Sequence, residues 1–331
     1  MIVICSVLLW GGVTDTAFQI EWFVYVQTVS YAAAAGIAGG LVIAKTSFIR
    51  LQFNGPFFLM ILKKSYPFAL LTILMTLYSK VDSVMLERIL TDGDFHSGIY
   101  AAGFRVVEAL NMVAFLFGSL LLPMYSRMLK NGEDVMDLTK TGIRLLIVPS
   151  IVLCIICYFY GYPLMDWLYH EETLMKGQAF GIMVFAFIFS ASVYILGSLL
   201  TANNNLFYLN LISGGGLLLN IIVNFSLIPH FQVFGAVAAT VSTQFLVALL
   251  HGILMLRVFK KAIPWSFLLR LALLVALVIG VGYYLQGTLA IWQWEFVLMG
   301  LLNLIFAIVL RLIKPFELMR ILQKRNEESY E

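Results

Sequence analysis

Residues 177–202 read GQAFGIMVFAFIFSASVYILGSLLTA, without one charged side chain. Coiled as a helix, this run extends ~39 Å at 1.5 Å per residue. The hydrocarbon core of a bilayer is only ~30 Å thick. A surface helix of a soluble domain would carry one polar face, and this stretch has none. Comparable apolar windows recur on either side, at 19–44, 66–88, 99–125, 142–163, 206–229, 233–257, 264–285 and 292–313. The chain is 61% hydrophobic and 12% charged, too few charges to coat a soluble domain of this length. The expected fold is therefore an all-α integral membrane protein, a polytopic helix bundle with nine complete spans. Asn54-Gly55-Pro56, Asp92-Gly93-Asp94, Asn131-Gly132 and Asn203-Asn204-Asn205 punctuate the spans with turn chemistry.

Two segments are exceptions. Residues 164–176 place Trp167, Leu168, Leu174 and Met175 beside Glu171 and Glu172, the pattern of a short interfacial helix. Met1–Trp10 is apolar but short for a span, and no basic region precedes it as in a signal peptide. It reads as the outer end of a tenth helix whose beginning is missing.

Lysine and arginine set the orientation. Lys45, Arg50, Lys63 and Lys64 share one connection, and Arg127, Lys130, Lys140 and Arg144 another. Arg257, Lys260, Lys261 and Arg270 form a third cluster, and the tail adds Arg311, Lys314, Arg320, Lys324 and Arg325. The intervening links hold Asp92, Asp94, Asp166, Glu171 and Glu172, or no charge at all. With nine spans, 17 of the 21 basic residues fall on one side. That side is expected to be cytoplasmic, with the C-terminus there.

Composition also excludes. No basic tract interleaved with aromatics supports nucleic-acid binding. Cys154-Ile-Ile-Cys157 has redox spacing but lies in the apolar run from Leu145 to Tyr160, where thiols behave as small hydrophobes. His96, His170, His230 and His251 show no metal-ligand spacing. No catalytic constellation and no long outer loop suggest an enzyme. No cofactor and no metal site are expected.

Four charged residues fall well inside the spans: Lys80 and Asp82 on one, Arg105 and Glu108 on the next. A charge near the bilayer centre costs at least ~2.5–3.5 kcal/mol, so each needs a reason. Counted from the outer helix ends, all four lie roughly 9–13 Å deep. Arg105 and Glu108 share a face as an i,i+3 pair. Lys80 and Asp82 point about 160° apart and cannot meet one partner. Either Asp82–Arg105 or Lys80–Glu108 lock the hairpin, or some of the four line a watery cavity and meet an anionic or proton-coupled substrate. Asn111, Asn220, Asn224 and Gln244 are expected to form interhelical hydrogen bonds. Pro123, Pro149 and Pro229 mark kinks or helix ends.

Three stretches carry a family resemblance. One is Lys63-Lys64-Ser65-Tyr66-Pro67-Phe68-Ala69-Leu70, continuing in Tyr78-Ser79-Lys80-Val81-Asp82-Ser83-Val84-Met85-Leu86. The next is Gly98-Ile99-Tyr100-Ala101-Ala102-Gly103-Phe104-Arg105, continuing to Leu122-Pro123-Met124-Tyr125-Ser126-Arg127. The last is Asn224-Phe225-Ser226-Leu227-Ile228-Pro229 with Gly235-Ala236-Val237-Ala238-Ala239-Thr240. Together they resemble the second half of the polysaccharide flippases, Wzx-type and O-antigen-like, of the multidrug/oligosaccharidyl-lipid/polysaccharide exporter superfamily. The link after Pro229, His230-Phe231-Gln232-Val233-Phe234, departs from the usual glycine-containing one.

The resemblance implies residues 1–62 as the end of a first lobe, 63–258 as a second six-helix lobe, and 259–331 as two further helices and a tail. It implies flipping of an undecaprenyl-diphosphate-linked oligosaccharide across a bacterial inner membrane, for surface polysaccharide such as lipopolysaccharide. Implied partners are that lipid-linked oligosaccharide, the bilayer and other polysaccharide-assembly membrane proteins. Lys80, Asp82, Arg105 and Glu108 are the candidate pathway or ion-pair residues. A drug or metabolite exporter of the same superfamily is the alternative within transport. A membrane glycan polymerase or ligase, or a remnant without activity, are the alternatives outside it.

Overall fold

The computed structural model describes residues 20–45, 54–170, 173–261, 264–288 and 291–312. The apolar opening Met1–Trp10, the pair Glu171 and Glu172, and the basic tail beyond residue 312 lie outside the described residues. Among the described residues there is no strand, and nine helical segments are long and apolar enough to cross a membrane. The protein is an all-α, multi-pass membrane protein.

Two compact units divide the chain, Met1–Leu62 and Lys63–Glu331. The first holds α1 (Ile20–Lys45) and the opening of α2 (Gly55–Ile89). Asn54 caps α2: its Oδ1 accepts the Phe57 N–H at 3.3 Å and satisfies one of the free donors of the first turn. Pro56 then needs no partner for a missing N–H.

The second unit holds the rest of α2, then α3 (Gly93–Lys130), α4 (Met136–Phe159), α5 (Gly161–Leu168), α6 (Thr173–Met183) and α7 (Ala186–Ala202). It continues with α8 (Leu206–Phe231), α9 (Val233–Phe259), α10 (Trp265–Leu285) and α11 (Trp292–Val309). α7 is central and packs on α3, α4, α8 and α9. Tyr100, Phe180, Met183, Ile195 and Leu199 are fully buried around it. α10 and α11 pair with each other and with α4, through a second core of Val148, Ile155, Leu274, Val278 and Met299.

Lipid is as apolar as leucine, so helices associate through close packing and polar contacts rather than the hydrophobic effect. Both appear here. A Cβ on Gly161 would sit 2.7 Å from the Gly177 carbonyl oxygen, and one on Gly177 would sit 2.6 Å from Tyr162 Cα. Only glycine allows α5 and α6 to lie that close. Asn210 Nδ2 on α8 donates to the Pro67 carbonyl at 2.9 Å. The outer face of α8 leaves Phe207, Leu211, Leu218, Ile222 and Phe225 exposed, as a lipid-facing surface requires.

Several boundaries differ from those expected. α2 and α3 run to 35 and 38 residues, because each continues as a helix beyond its apolar window. Pro67, Pro123, Pro149 and Pro229 all lie inside helices. The short helix expected at 164–176 occupies Gly161–Leu168 instead. The span expected at 177–202 is interrupted at Val184 and Phe185, between α6 and α7. The Cys154 thiol donates to the Val184 carbonyl there, at 3.1 Å. Cys154 and Cys157 are free and buried.

Candidate functional site

The turn between α2 and α3 is short, and a Cβ on Gly93 would overlap the Glu87 carbonyl oxygen. The two helices therefore run back along each other, and their charged residues meet at a common level. Lys80 Nζ on α2 lies 3.1 Å from Glu108 Oε1 on α3. It also stands 5.4 Å from the centre of the Phe104 ring, within cation–π range. The pair is open, with side chains 58% and 55% exposed. Arg105, one turn away on α3, is exposed as well, and its guanidinium has no hydrogen-bond or ionic partner among the described residues.

Asp82 points the other way and is 1% exposed. It does not pair with Arg105. Its Oδ2 accepts from the Tyr100 hydroxyl at 2.8 Å and from the Thr240 hydroxyl at 2.7 Å. Its Oδ1 accepts from Asn224 Nδ2 at 2.5 Å. The Asn224 amide also donates to Asn220 Oδ1 at 3.1 Å. Four helices, α2, α3, α8 and α9, converge on this carboxyl. A buried carboxylate with no cation beside it is tolerable only when donors surround it.

The proton count permits two states. With the carboxyl ionised, Tyr100 and Thr240 both donate to Oδ2. With the carboxyl protonated, its own hydroxyl donates to Thr240 Oγ1. Thr240 then turns its hydrogen to the Ala236 carbonyl, 2.9 Å away. Rotating one hydroxyl accommodates a proton without leaving a donor stranded.

Tyr78 extends the network. Its hydroxyl donates to the Thr240 carbonyl at 3.3 Å, and its ring borders a cavity of about 100 Å³. Ser79, Asn111, Ser190, Ser213 and Gln244 also line that cavity. Ser190 Oγ donates to Asn111 Oδ1 at 2.5 Å. The space and its polar lining suit a few ordered waters. No trio of His, Cys, Asp or Glu side chains suited to a metal ion occurs among the described residues.

Lys80 and Glu108 thus form one of the two pairings the sequence left open; Asn111 and Asn224 make the interhelical bonds expected of them, whereas Asn220 accepts from Asn224 on its own helix. Tyr78, Tyr100 and Thr240 were not singled out as site residues. A signal for them existed: Tyr78 and Asp82, Tyr100, and Asn224 with Thr240 come respectively from the three stretches that carry the family resemblance. Those stretches, the last of them far in sequence from the other two, meet at one carboxyl.

No curated protein matches the chain. Residues 1–129 match the family model described as polysaccharide biosynthesis protein, a region that includes Lys80, Asp82, Tyr100, Arg105 and Glu108.

Proposed function

We propose that this protein takes part in moving an undecaprenyl-diphosphate-linked oligosaccharide from the inner to the outer leaflet of a bacterial inner membrane, without covalent chemistry. The observation that carries this reading is the open polar face formed by Lys80, Arg105 and Glu108 within membrane-crossing helices. Lipid cannot cover such a face cheaply, so it belongs against water or substrate. Of the three, Arg105 is the cation without a partner among the described residues, and its planar fork suits a diphosphate. Lys80 is tethered by Glu108, which keeps the local charge from trapping an anion permanently. The match to polysaccharide biosynthesis proteins supports a glycan cargo.

Asp82 supplies the second half of the mechanism. Its network holds a proton in one state and releases it in the other, and the four helices around it move if that proton is exchanged. Alternating access driven by such an exchange is the mechanism we assign. The basic end of the bundle faces the cytoplasm in this reading, and the protein works beside other membrane proteins of glycan assembly.

The test is surface-glycan level and membrane abundance in cells expressing the natural gene with Arg105→Ala, Arg105→Lys or Asp82→Asn. Arg105→Ala is expected to stop export at normal abundance, and Arg105→Lys to retain part of it. Asp82→Asn is expected to remove the dependence of export on the proton gradient. Normal export with Arg105→Ala at normal abundance overturns the assignment. Normal surface glycan with altered drug efflux gives the reading over to a small-molecule exporter.

A further inference from the structure

The seam between α4 and α10 lies away from the Asp82 site. The two helices run in the same direction, both starting at the basic end of the bundle. At that end, Lys140, Ile143 and Arg144 of α4 face Pro264 and Phe267 across a shallow open notch of about 20 Å³. Further along, the seam opens again. There Ile151, Ile155 and Phe159 of α4 oppose Val275 and Ile279 of α10 around a cavity of about 400 Å³. That second opening is almost wholly apolar.

The charges at the mouth are unequal. Lys140 Nζ lies 3.2 Å from Asp137 Oδ1. Lys261 pairs with Asp134. The Lys261 hydrogen bond, then the Met136 N–H bond, hold the Asp134 carboxyl below its ordinary range, and the Lys140 charge adds to this. Arg144 is left over. It is half-buried and has no hydrogen-bond or ionic partner among the described residues. A half-buried guanidinium one turn inside the basic rim calls for an anion that none of the described residues provides.

We infer that this seam binds an anionic phospholipid, its phosphate on Arg144 and Lys140 and an acyl chain along the apolar opening. Charge complementarity sets the headgroup: two cations at one mouth, only one of them neutralised. Depth sets the rest. Arg144 to Ile155 spans ~16 Å along the helix, about half of the ~30 Å core. One acyl chain of the leaflet on the basic side fills that length. Basic pockets between membrane helices take acidic headgroups on these grounds. The inference does not depend on what the protein transports.

The experiment is thermal unfolding of the whole chain purified in detergent, with lipid retention read by native mass spectrometry. Dioleoyl-phosphatidylglycerol is expected to raise the melting temperature of the unaltered protein and to be retained. Dioleoyl-phosphatidylcholine and inorganic phosphate are expected to do neither. Arg144→Gln is expected to weaken phosphatidylglycerol binding about tenfold, the loss of one charge-assisted contact. Arg144→Lys is expected to keep most of it. Lys130→Gln, an exposed cation at the end of α3, controls for general charge and is expected to change nothing. If Arg144→Gln does not fold, Ile279→Trp, which fills the apolar opening, is expected to lower retention. Equal protection by phosphatidylcholine, protection by phosphate alone, or full selectivity in Arg144→Gln each overturns the inference.

Discussion

Lys80 and Asp82 stand two residues apart on one helix and meet opposite surroundings. Asp82 is enclosed by neutral donors from three other helices, whereas Lys80 lies open beside Glu108, and Arg105, one turn from Glu108, has no partner among the described residues. Helix geometry alone separates them by about 160°. The contrast teaches that charges at one depth in a membrane protein need not form one site. The inward group is held by structure and exchanges at most a proton. The outward groups are free to meet a ligand.

The largest expected effect is on the inward side. Asp82→Leu removes the shared acceptor of the Tyr100 hydroxyl, the Thr240 hydroxyl and the Asn224 amide, three bonds in the core. At ~1 kcal/mol or more for each lost bond, the loss is about 3 kcal/mol. It should appear as a sharply lower melting temperature and reduced membrane abundance. Asp82→Asn keeps the shape and most of the bonds, and should lower stability far less. If Asp82→Leu leaves stability unchanged, the network is not what holds the four helices together.

Arg105→Ala comes next and should behave in the opposite way. Its guanidinium has no partner among the described residues to strand, so stability should stay within ~0.5 kcal/mol. Transport should fall at least about tenfold, as expected when a charge-assisted contact to an anion is removed. Equal damage to stability from Arg105→Ala and Asp82→Leu would erase the distinction between the two faces.

How far the sequence anticipated this contrast depends on the type of contact. The spans were legible because long charge-free runs such as 177–202 have no soluble solution. The local pair Lys80–Glu108 was legible as one of two options, since a hairpin brings its arms together at equal depth. The Asp82 partners were not legible as partners. Asn224 and Thr240 lie 142 and 158 positions away, and neutral hydroxyls and amides in apolar spans resemble ordinary interhelical glue. The interruption at Val184 and Phe185 carries no proline or glycine of its own, and the nearby Gly177 and Gly181 signal close approach or bending without locating a break.

Glu295 offers a milder version of the inward case. It is 3% exposed on α11, and the Tyr160 hydroxyl, at the joint of α4 and α5, donates to its Oε2 at 3.1 Å. Tyr160→Phe removes one of its contacts and keeps the ring packed on Phe296. The expected loss is ~1 kcal/mol, read by thermal unfolding, with no change in transport. A loss as large as that of Asp82→Leu would make the α4–α11 seam, not the Asp82 network, the main polar anchor of the bundle.

The smallest effect is the most telling about the outward face. Ion pairs in water couple weakly, about 0.2–1 kcal/mol, and salt screens them. A pair facing lipid should couple more strongly and ignore salt. Lys80–Glu108 can be placed between these limits by a double-mutant cycle of Lys80→Met and Glu108→Gln, with unfolding measured at low and high salt. Asp134–Lys261, on the connections at the basic end, supplies the fully wet reference. Its Asp134 carboxyl is held below its ordinary range by the Lys261 hydrogen bond. Its contribution is therefore present at neutral pH and disappears only as pH falls through that lowered value. If Lys80 and Glu108 line a watery path, their coupling should be weak and should shrink with salt as the reference pair does. Strong, salt-insensitive coupling would mean the pair is sealed from water, and the face that carries Arg105 could not then be a path for a charged glycan lipid.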